Sequence, residues 1–296
     1  MSMTFIQTFL PLALTISAPI ILASMGGLIS EKSGIVNIGL EGLMGFGAFT
    51  AATTHVLLES SLGNELSITI ALILAMIVAT ILSIIHAFAT ITFKSNQIIS
   101  GTGINLLAAG LTVFFAQLIF NQEHTKPFQI GMKGYTMFHI YPSALIALIV
   151  ILLTWYILNK RVFGLRLKAC GESPQAASGA GIPVSKMQYI GVLLGGSLAG
   201  LAGASMVLTQ SIQYSGNFIN GTGFIALAAI NFGRWRVGGV TMASLLFGSA
   251  MTIAHMIGSS SATYIPREFF LALPYIITVL SLVFFDYIKM RRIGSI

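Results

Sequence analysis

The stretch SITIALILAMIVATILSIIHAFATITF, Ser67 to Phe93, contains no Asp, Glu, Lys or Arg. A helix rising 1.5 Å per residue needs about 20 apolar residues to cross the hydrocarbon core of a bilayer. This block has that length with turns to spare. Working outward, similar apolar blocks lie at about 5–30, 35–58, 97–120, 139–158, 187–209, 219–233, 238–257 and 268–288. The pattern predicts an all-α fold: a polytopic transmembrane helical bundle with about eight to ten spans, some of them broken.

Composition agrees. Of 296 residues only 8% are charged and 55% are hydrophobic, against roughly 25% and 45–50% in soluble domains. Nothing outside the apolar blocks could build a soluble core, so residues 1–296 read as a single transmembrane domain. The net charge of +7 lies in short runs between blocks, with no basic stripe or tail, which argues against nucleic acid as a partner. Placing the N-terminus outside puts Lys32, Lys94, Lys160, Arg161, Arg166, Lys168, Lys186, Arg234, Arg236, Lys289, Arg291 and Arg292 on the cytoplasmic side. Only Lys126, Lys133 and Arg267 remain outside, as the positive-inside rule requires. Phe5 to Ile29 lacks a basic preceding region and exceeds the length of a signal-peptide core, so it is expected to remain as a first span.

Two places break the apolar pattern. Ser30 to Gly42 mixes charges and glycines into a span, and Gly221 to Gly233 is too short for an ordinary crossing. A re-entrant loop at Gly221–Gly233 would carry Arg234, Arg236 and the basic tail outside, so a broken or tilted crossing is the expectation. The longest hydrophilic stretch, about 159–186, is a cytoplasmic loop. Within it Ser173 reads as an N-cap, Pro174 as the first helical residue and Gly179 or Gly181 as the stop: a short helix. Such a helix has no core of its own and calls for a partner.

Enzyme signatures are absent from the chain. It has no phosphate-binding G-x-x-x-x-G-K-[ST], no H-E-x-x-H, and one cysteine, Cys170. No catalytic residues and no metal ligands are assigned, and the scattered histidines His55, His86, His124, His139 and His255 read as packed or interfacial. Glu41 is the one carboxylate inside an apolar block other than at its edges, where it costs about 2.5 kcal/mol or more unless it faces a cavity or a partner. Two readings fit it: a pore-lining or gating group, or a carboxylate paired with Lys32 or capped by backbone amides near a helix start. Asn37, Gln97, Thr102, Asn105, Gln117 and Asn231 are uncharged polar groups in apolar surroundings. They suit a hydroxylated or heteroaromatic solute, and equally hydrogen bonds between helices. Phe224 could stack on a base or simply pack. Gly191/Gly195 and Gly196/Gly200 are spaced for close helix approach, within the chain or at a dimer seam.

Ser33-Gly-Ile-Val-Asn-Ile-Gly-Leu-Glu-Gly42 resembles the SGVVNIGLEG signature of permeases from nucleoside and simple-sugar ABC importers, in the branched-chain amino acid/ribose permease superfamily. Asn96–Gly101 with Ile104–Leu107 is similar to that family's segment after the third span. Gly171-Glu172-x-Pro174-x-Ala176-Ala177, then Gly181-Ile182, resembles its cytoplasmic coupling loop, and Gly223–Ala229 with Phe232–Trp235 its late motif. Arg236-Val237 departs from the Asn-Pro that family members often carry. The resemblance implies a permease in the plasma membrane, with a second homologous permease chain, cytoplasmic ATP-binding subunits, and an extracytoplasmic substrate-binding protein or lipoprotein. ATP is then used by the partner subunit and no cofactor is bound by this chain. Gly171, Glu172, Pro174, Ala176, Ala177 and Gly181 would couple to the ATPase, and Asn37, Glu41, Gln97, Asn105, Phe224 and Asn231 would belong to the translocation path. The implied solute is a nucleoside, with a ribose-like sugar or riboflavin as alternatives. An ATPase-independent carrier or a membrane enzyme would need several buried ionisable groups, and no Asp occurs before Asp286.

Overall fold

Helices account for nearly all of the computed structural model, which describes residues 3–132, 141–258 and 276. In order they are α1 (Met3–Lys32), α2 (Leu40–Leu62), α3 (Asn64–Ala87, continued by a π-helical turn Phe88–Thr92), α4 (Gln97–Phe120) and α5 (Pro142–Lys160). There follow α6 (Val162–Glu172), α7 (Pro174–Gly179), α8 (Val184–Gln210), α9 (Thr222–Phe232) and α10 (Val237–Gly258). Among the described residues, α1, α3, α4, α5, α8 and α10 are long and apolar enough to cross a membrane. The chain is an all-α polytopic membrane bundle. The expected span at 268–288 lies outside the described residues except for Ile276.

The 23-residue α2 is as long as a span but diluted by Gly, Thr, His55 and Glu59. It tolerates them because it is enclosed: Leu40, Leu43, Met44 and His55 have no exposed surface. The His55 ring bonds Ser67 and the Ile130 carbonyl, both at 2.8 Å. With α1 and α8, α2 forms the centre, and α3, α4 and α5 lie at the periphery with largely exposed apolar faces.

Three expected boundaries shift. The block at 35–58 becomes helical only at Leu40, because Gly34 turns the chain with φ +92° and the Asn37 side chain accepts the Gly39 amide. The same helix runs on to Leu62, so Glu59 sits inside it rather than in an outer loop. The hydrophilic stretch at 159–186 is mostly helix, since α6 buries Gly164, Leu167 and Cys170 beneath its exposed Arg166.

The basic helix ends gather on one side. Gly171 packs on the Lys32 carbonyl and on Gly34, the Trp235 indole donates to Glu31, and Gln97 bonds Val36 and Gly34. By the positive-inside rule this side is cytoplasmic. At the opposite end the Gln129 amide donates to Glu59, and the Met132 amide to the Leu208 carbonyl.

The α8 glycines are consumed within the chain. Gly195 meets Gly26 of α1, Gly196 meets Ser83 of α3, and Gly203 meets Met44 of α2. Gly200 lies against Ala75 and Ala79 of α3, and its backbone abuts Gly47 of α2. A Cβ at any of them would strike backbone or a small side chain. Gly200→Ala is therefore expected to cost about 1–3 kcal/mol through overpacking. Gly103→Ala, with nothing within 4 Å of the added carbon, should leave the melting temperature of the purified protein unchanged or raised.

Candidate functional site

The loop between α1 and α2 is held by two amide side chains of α4. Gln97 accepts the Val36 amide at 2.8 Å and donates to the Gly34 carbonyl at 3.3 Å. Two turns on, Asn105 accepts the Gly42 amide at 2.8 Å and donates to the Ile38 carbonyl at 3.1 Å. Both amides thus bond backbone that helix geometry leaves unpaired. Asn37 is fully buried, and its Nδ2 has no partner among the described residues.

Glu41 follows directly, in the first turn of α2. Its Oε1 accepts the Gly221 amide and its Oε2 the Gly223 amide, each at 2.7 Å. Those amides begin α9, where unpaired N–H groups and the helix dipole favour negative charge. Asn220 and Gly221 both have positive φ, +47° and +84°, which turns the amides toward the carboxylate. A Cβ on Gly223 would overlap Glu41, so the approach requires glycine. Of the two readings of Glu41, backbone capping describes the geometry. The capped helix is α9, 180 residues away, and Lys32 is not paired with it within ion-pair distance.

Helix α4 provides a depth scale. Asn105, beside Gly42, lies about 12 Å along it from its cytoplasmic end at 1.5 Å per residue. Val113, about 24 Å along, meets Gly216, whose added Cβ would fall 2.8 Å from it. The backbone from Gly216 to Gly221 therefore crosses the middle of the bundle outside any helix, with only the turn bonds from the Phe218 amide to the Ser215 carbonyl and from the Thr222 amide to the Ile219 carbonyl, and α9 completes the passage in 11 residues. Chain crossing, rather than re-entry, is what the positions of Glu31 and Trp235 require.

Ser215, Gly216, Asn217 and Asn220 are exposed along this segment. Non-helical backbone at membrane depth persists only inside protein or along a water-filled cavity. Its outer end is anchored: Tyr214 is buried, its hydroxyl donates to Thr112 at 3.1 Å, and its carbonyl accepts the Thr125 amide. Phe224 is 45% exposed, and Asn231, seven residues on, shares its face of α9 and donates to the Leu227 carbonyl. Thr102, Gly103 and Gln117 place polar and small groups among the exposed apolar side chains of α4, which include Ile98, Leu106 and Leu118, while on α3 the exposed polar residues Glu65 and Thr69 lie only in its first turns. Asn217 escaped the sequence reading because it falls in a polar stretch that resembles an outer loop, and Asn220 because it sits at the edge of the block at 219–233.

On the cytoplasmic side, Ser173 caps α7 by accepting the Ala176 amide at 3.4 Å, and Pro174 opens the helix. Ala177 is buried, and its carbonyl accepts the Ile182 amide after Gly181 turns at φ +76°. Pro174, Gln175, Ala176 and Ser178 are exposed, as is Glu172. Gly171 lies against Gly34, which Gln97 grips, so this segment abuts the loop that leads to Glu41.

Removing the cap tests its weight. Glu41→Ala strands the buried amides of Gly221 and Gly223 at about 1–3 kcal/mol each. It should lower the melting temperature by several degrees, while Glu41→Gln, which keeps one acceptor, should lose less. A wild-type melting curve in Glu41→Ala would show the cap to be dispensable.

A model of the branched-chain amino acid transport system/permease component family matches residues 10–282. The guanosine ABC transporter permease protein NupQ of Bacillus subtilis is 40% identical over 293 residues, covering 94% of this chain and 91% of that protein. The nucleoside ABC transporter permease protein NupC of Lactococcus lactis is 36% identical, covering 91% of this chain and 89% of its own. A putative glucose ABC transporter permease protein of Haloferax volcanii, TsgC13, is 32% identical over 83% of this chain and 76% of its own. A match spanning most of the residues, over a bundle of this architecture, establishes that the chain is a multi-pass plasma-membrane protein belonging to the branched-chain amino acid transport system permease family.

Proposed function

We propose that this chain is the membrane-spanning permease subunit of an ATP-driven importer and forms the translocation path for a nucleoside. The observation that carries the reading is the non-helical segment 215–221 at membrane depth, which exposes Ser215, Asn217 and Asn220 and is continued by Phe224 on α9. Uncharged amides beside an aromatic face suit a ribosyl hydroxyl set and a base, and NupQ and NupC are guanosine and nucleoside permeases. The α9 terminus, whose Gly221 and Gly223 amides already donate to Glu41, is occupied by that carboxylate and is not open to an anionic solute.

Asn217 and Asn220 would line the path with Phe224 and Asn231. Gln97, Asn105 and Asn37 would hold the loop behind it. A second homologous permease would complete the passage. An extracytoplasmic substrate-binding protein or lipoprotein would deliver the solute. ATP would be hydrolysed by separate cytoplasmic subunits, with this chain contributing no catalytic group. The exposed Pro174–Ser178 surface would seat in those subunits, with Gly171, Glu172 and Gly181 at its borders. Movement of α7 would then pass through the Gly171–Gly34 contact to the α1–α2 loop, and through Glu41 to α9, biasing two packings of one bundle.

Two measurements test this reading. Cells carrying the gene should accumulate labelled guanosine and lose that uptake on deletion, and Asn217→Ala/Asn220→Ala should reduce it at least tenfold. Retained guanosine uptake with loss of glucose or ribose uptake would assign the sugar reading that TsgC13 favours. Replacing Glu172–Ala177 with glycine and serine should abolish copurification with the ATP-binding subunits while the chain still reaches the membrane. Normal copurification and normal uptake would remove the coupling role.

A further inference from the structure

The cytoplasmic ends of α1, α5 and α6 and the turn between α9 and α10 border an open cavity of about 540 Å³. Lys32, Lys168 and Arg236 line it together with Trp155, Trp235 and a single carboxylate, Glu172. Among the described residues none of these cations lies within ion-pair distance of a carboxylate. Lys168 instead donates to the Asn159 amide oxygen at 3.2 Å, and nearby Glu31 accepts the Trp235 indole. Three cations around one space outnumber the Glu172 carboxylate that shares it, and the excess positive charge favours a further anion. Trp155 and Trp235 are 46% and 40% exposed, and the Lys160 amine lies 5.7 Å from the centre of the Trp155 ring. Tryptophans with adjoining basic residues mark the level of the lipid headgroups.

We infer that this cavity binds a phosphate-bearing anion, in the membrane the headgroup of an anionic phospholipid of the cytoplasmic leaflet. Basic pockets between helix ends on this side recognise such headgroups, and the volume accommodates a glycerophosphate. None of the lining residues belongs to the proposed path, and of them only Glu172 also borders the coupling surface.

Trp155 and Trp235 are the only tryptophans of the chain, so its emission reports the cavity directly. The full-length chain, reconstituted in phosphatidylcholine, is titrated with brominated phosphatidylglycerol or brominated phosphatidylcholine. The expected result is half-maximal quenching by the anionic lipid at a several-fold lower mole fraction, a preference lost in Lys32→Gln/Lys168→Gln/Arg236→Gln. A second arm adds inorganic phosphate to neutral bilayers. A saturable emission change there, without lipid preference, would support the same site with a soluble phosphate as occupant. Equal quenching by both lipids with no response to phosphate overturns the proposal, as does a preference that survives the triple substitution. The wild-type comparison is decisive even where the triple variant fails to fold.

Discussion

Backbone amides inside a bilayer must find acceptors in the protein, and the contact between Glu41 and the amides of Gly221 and Gly223 meets that demand where the bundle is most irregular. A continuous helix would need no such device. Here the chain passes the middle of the bundle outside any helix and starts α9 midway, which leaves N–H donors at its first turn without helical partners. A carboxylate satisfies them with two short, charge-assisted bonds. The helix terminus in turn offsets the cost of placing the carboxylate there. Each feature makes the other tolerable.

The same contact orders what surrounds it. Because Glu41 opens α2, the loop before it must be held, and Gln97 and Asn105 of α4 do so from one side while Gly171 closes on Gly34 from the other. The glycines of α8 bring α1, α2 and α3 close enough for the loop and its clips to meet. A continuous series of contacts therefore runs from the exposed cytoplasmic helix α7 to the terminus of α9. It is a spatial connection, and its energetic meaning depends on whether the bundle has two packings.

Much of this was legible in the sequence because long apolar blocks and capping residues are local signals. The block at 67–93 emerges as α3 with its π-helical turn, and Ser173-Pro174 marks the start of α7 to the residue. Long-range partners were not legible. Nothing near Glu41 announces that its acceptors serve amides 180 residues away, and the lysine nearby offered a plausible but unused partner. Asn37, Gln97 and Asn105 were recognisable as polar residues in apolar surroundings, yet only the fold distinguishes amides that clamp a loop from amides that face a solute. Asn217 sits in a stretch whose composition fits an outer loop and Asn220 at the edge of the block at 219–233, so their depth follows only from the contacts of Gly216 with Val113 and of Gly223 with Glu41. Helix α6 was hidden because four basic residues between 160 and 168 outweigh its few buried side chains.

The central claim is that the non-helical segment 215–221 borders an aqueous path within the membrane, and its accessibility tests this most directly. The one native cysteine, Cys170, is buried, so a thiol introduced at Asn217 or Asn220 can be read against a quiet background. In the assembled transporter both positions should react with a membrane-impermeant thiol reagent, with guanosine slowing the reaction, whereas a cysteine at Ile81 on the apolar face of α3 should not react. Unreactive thiols at 217 and 220 would contradict the account.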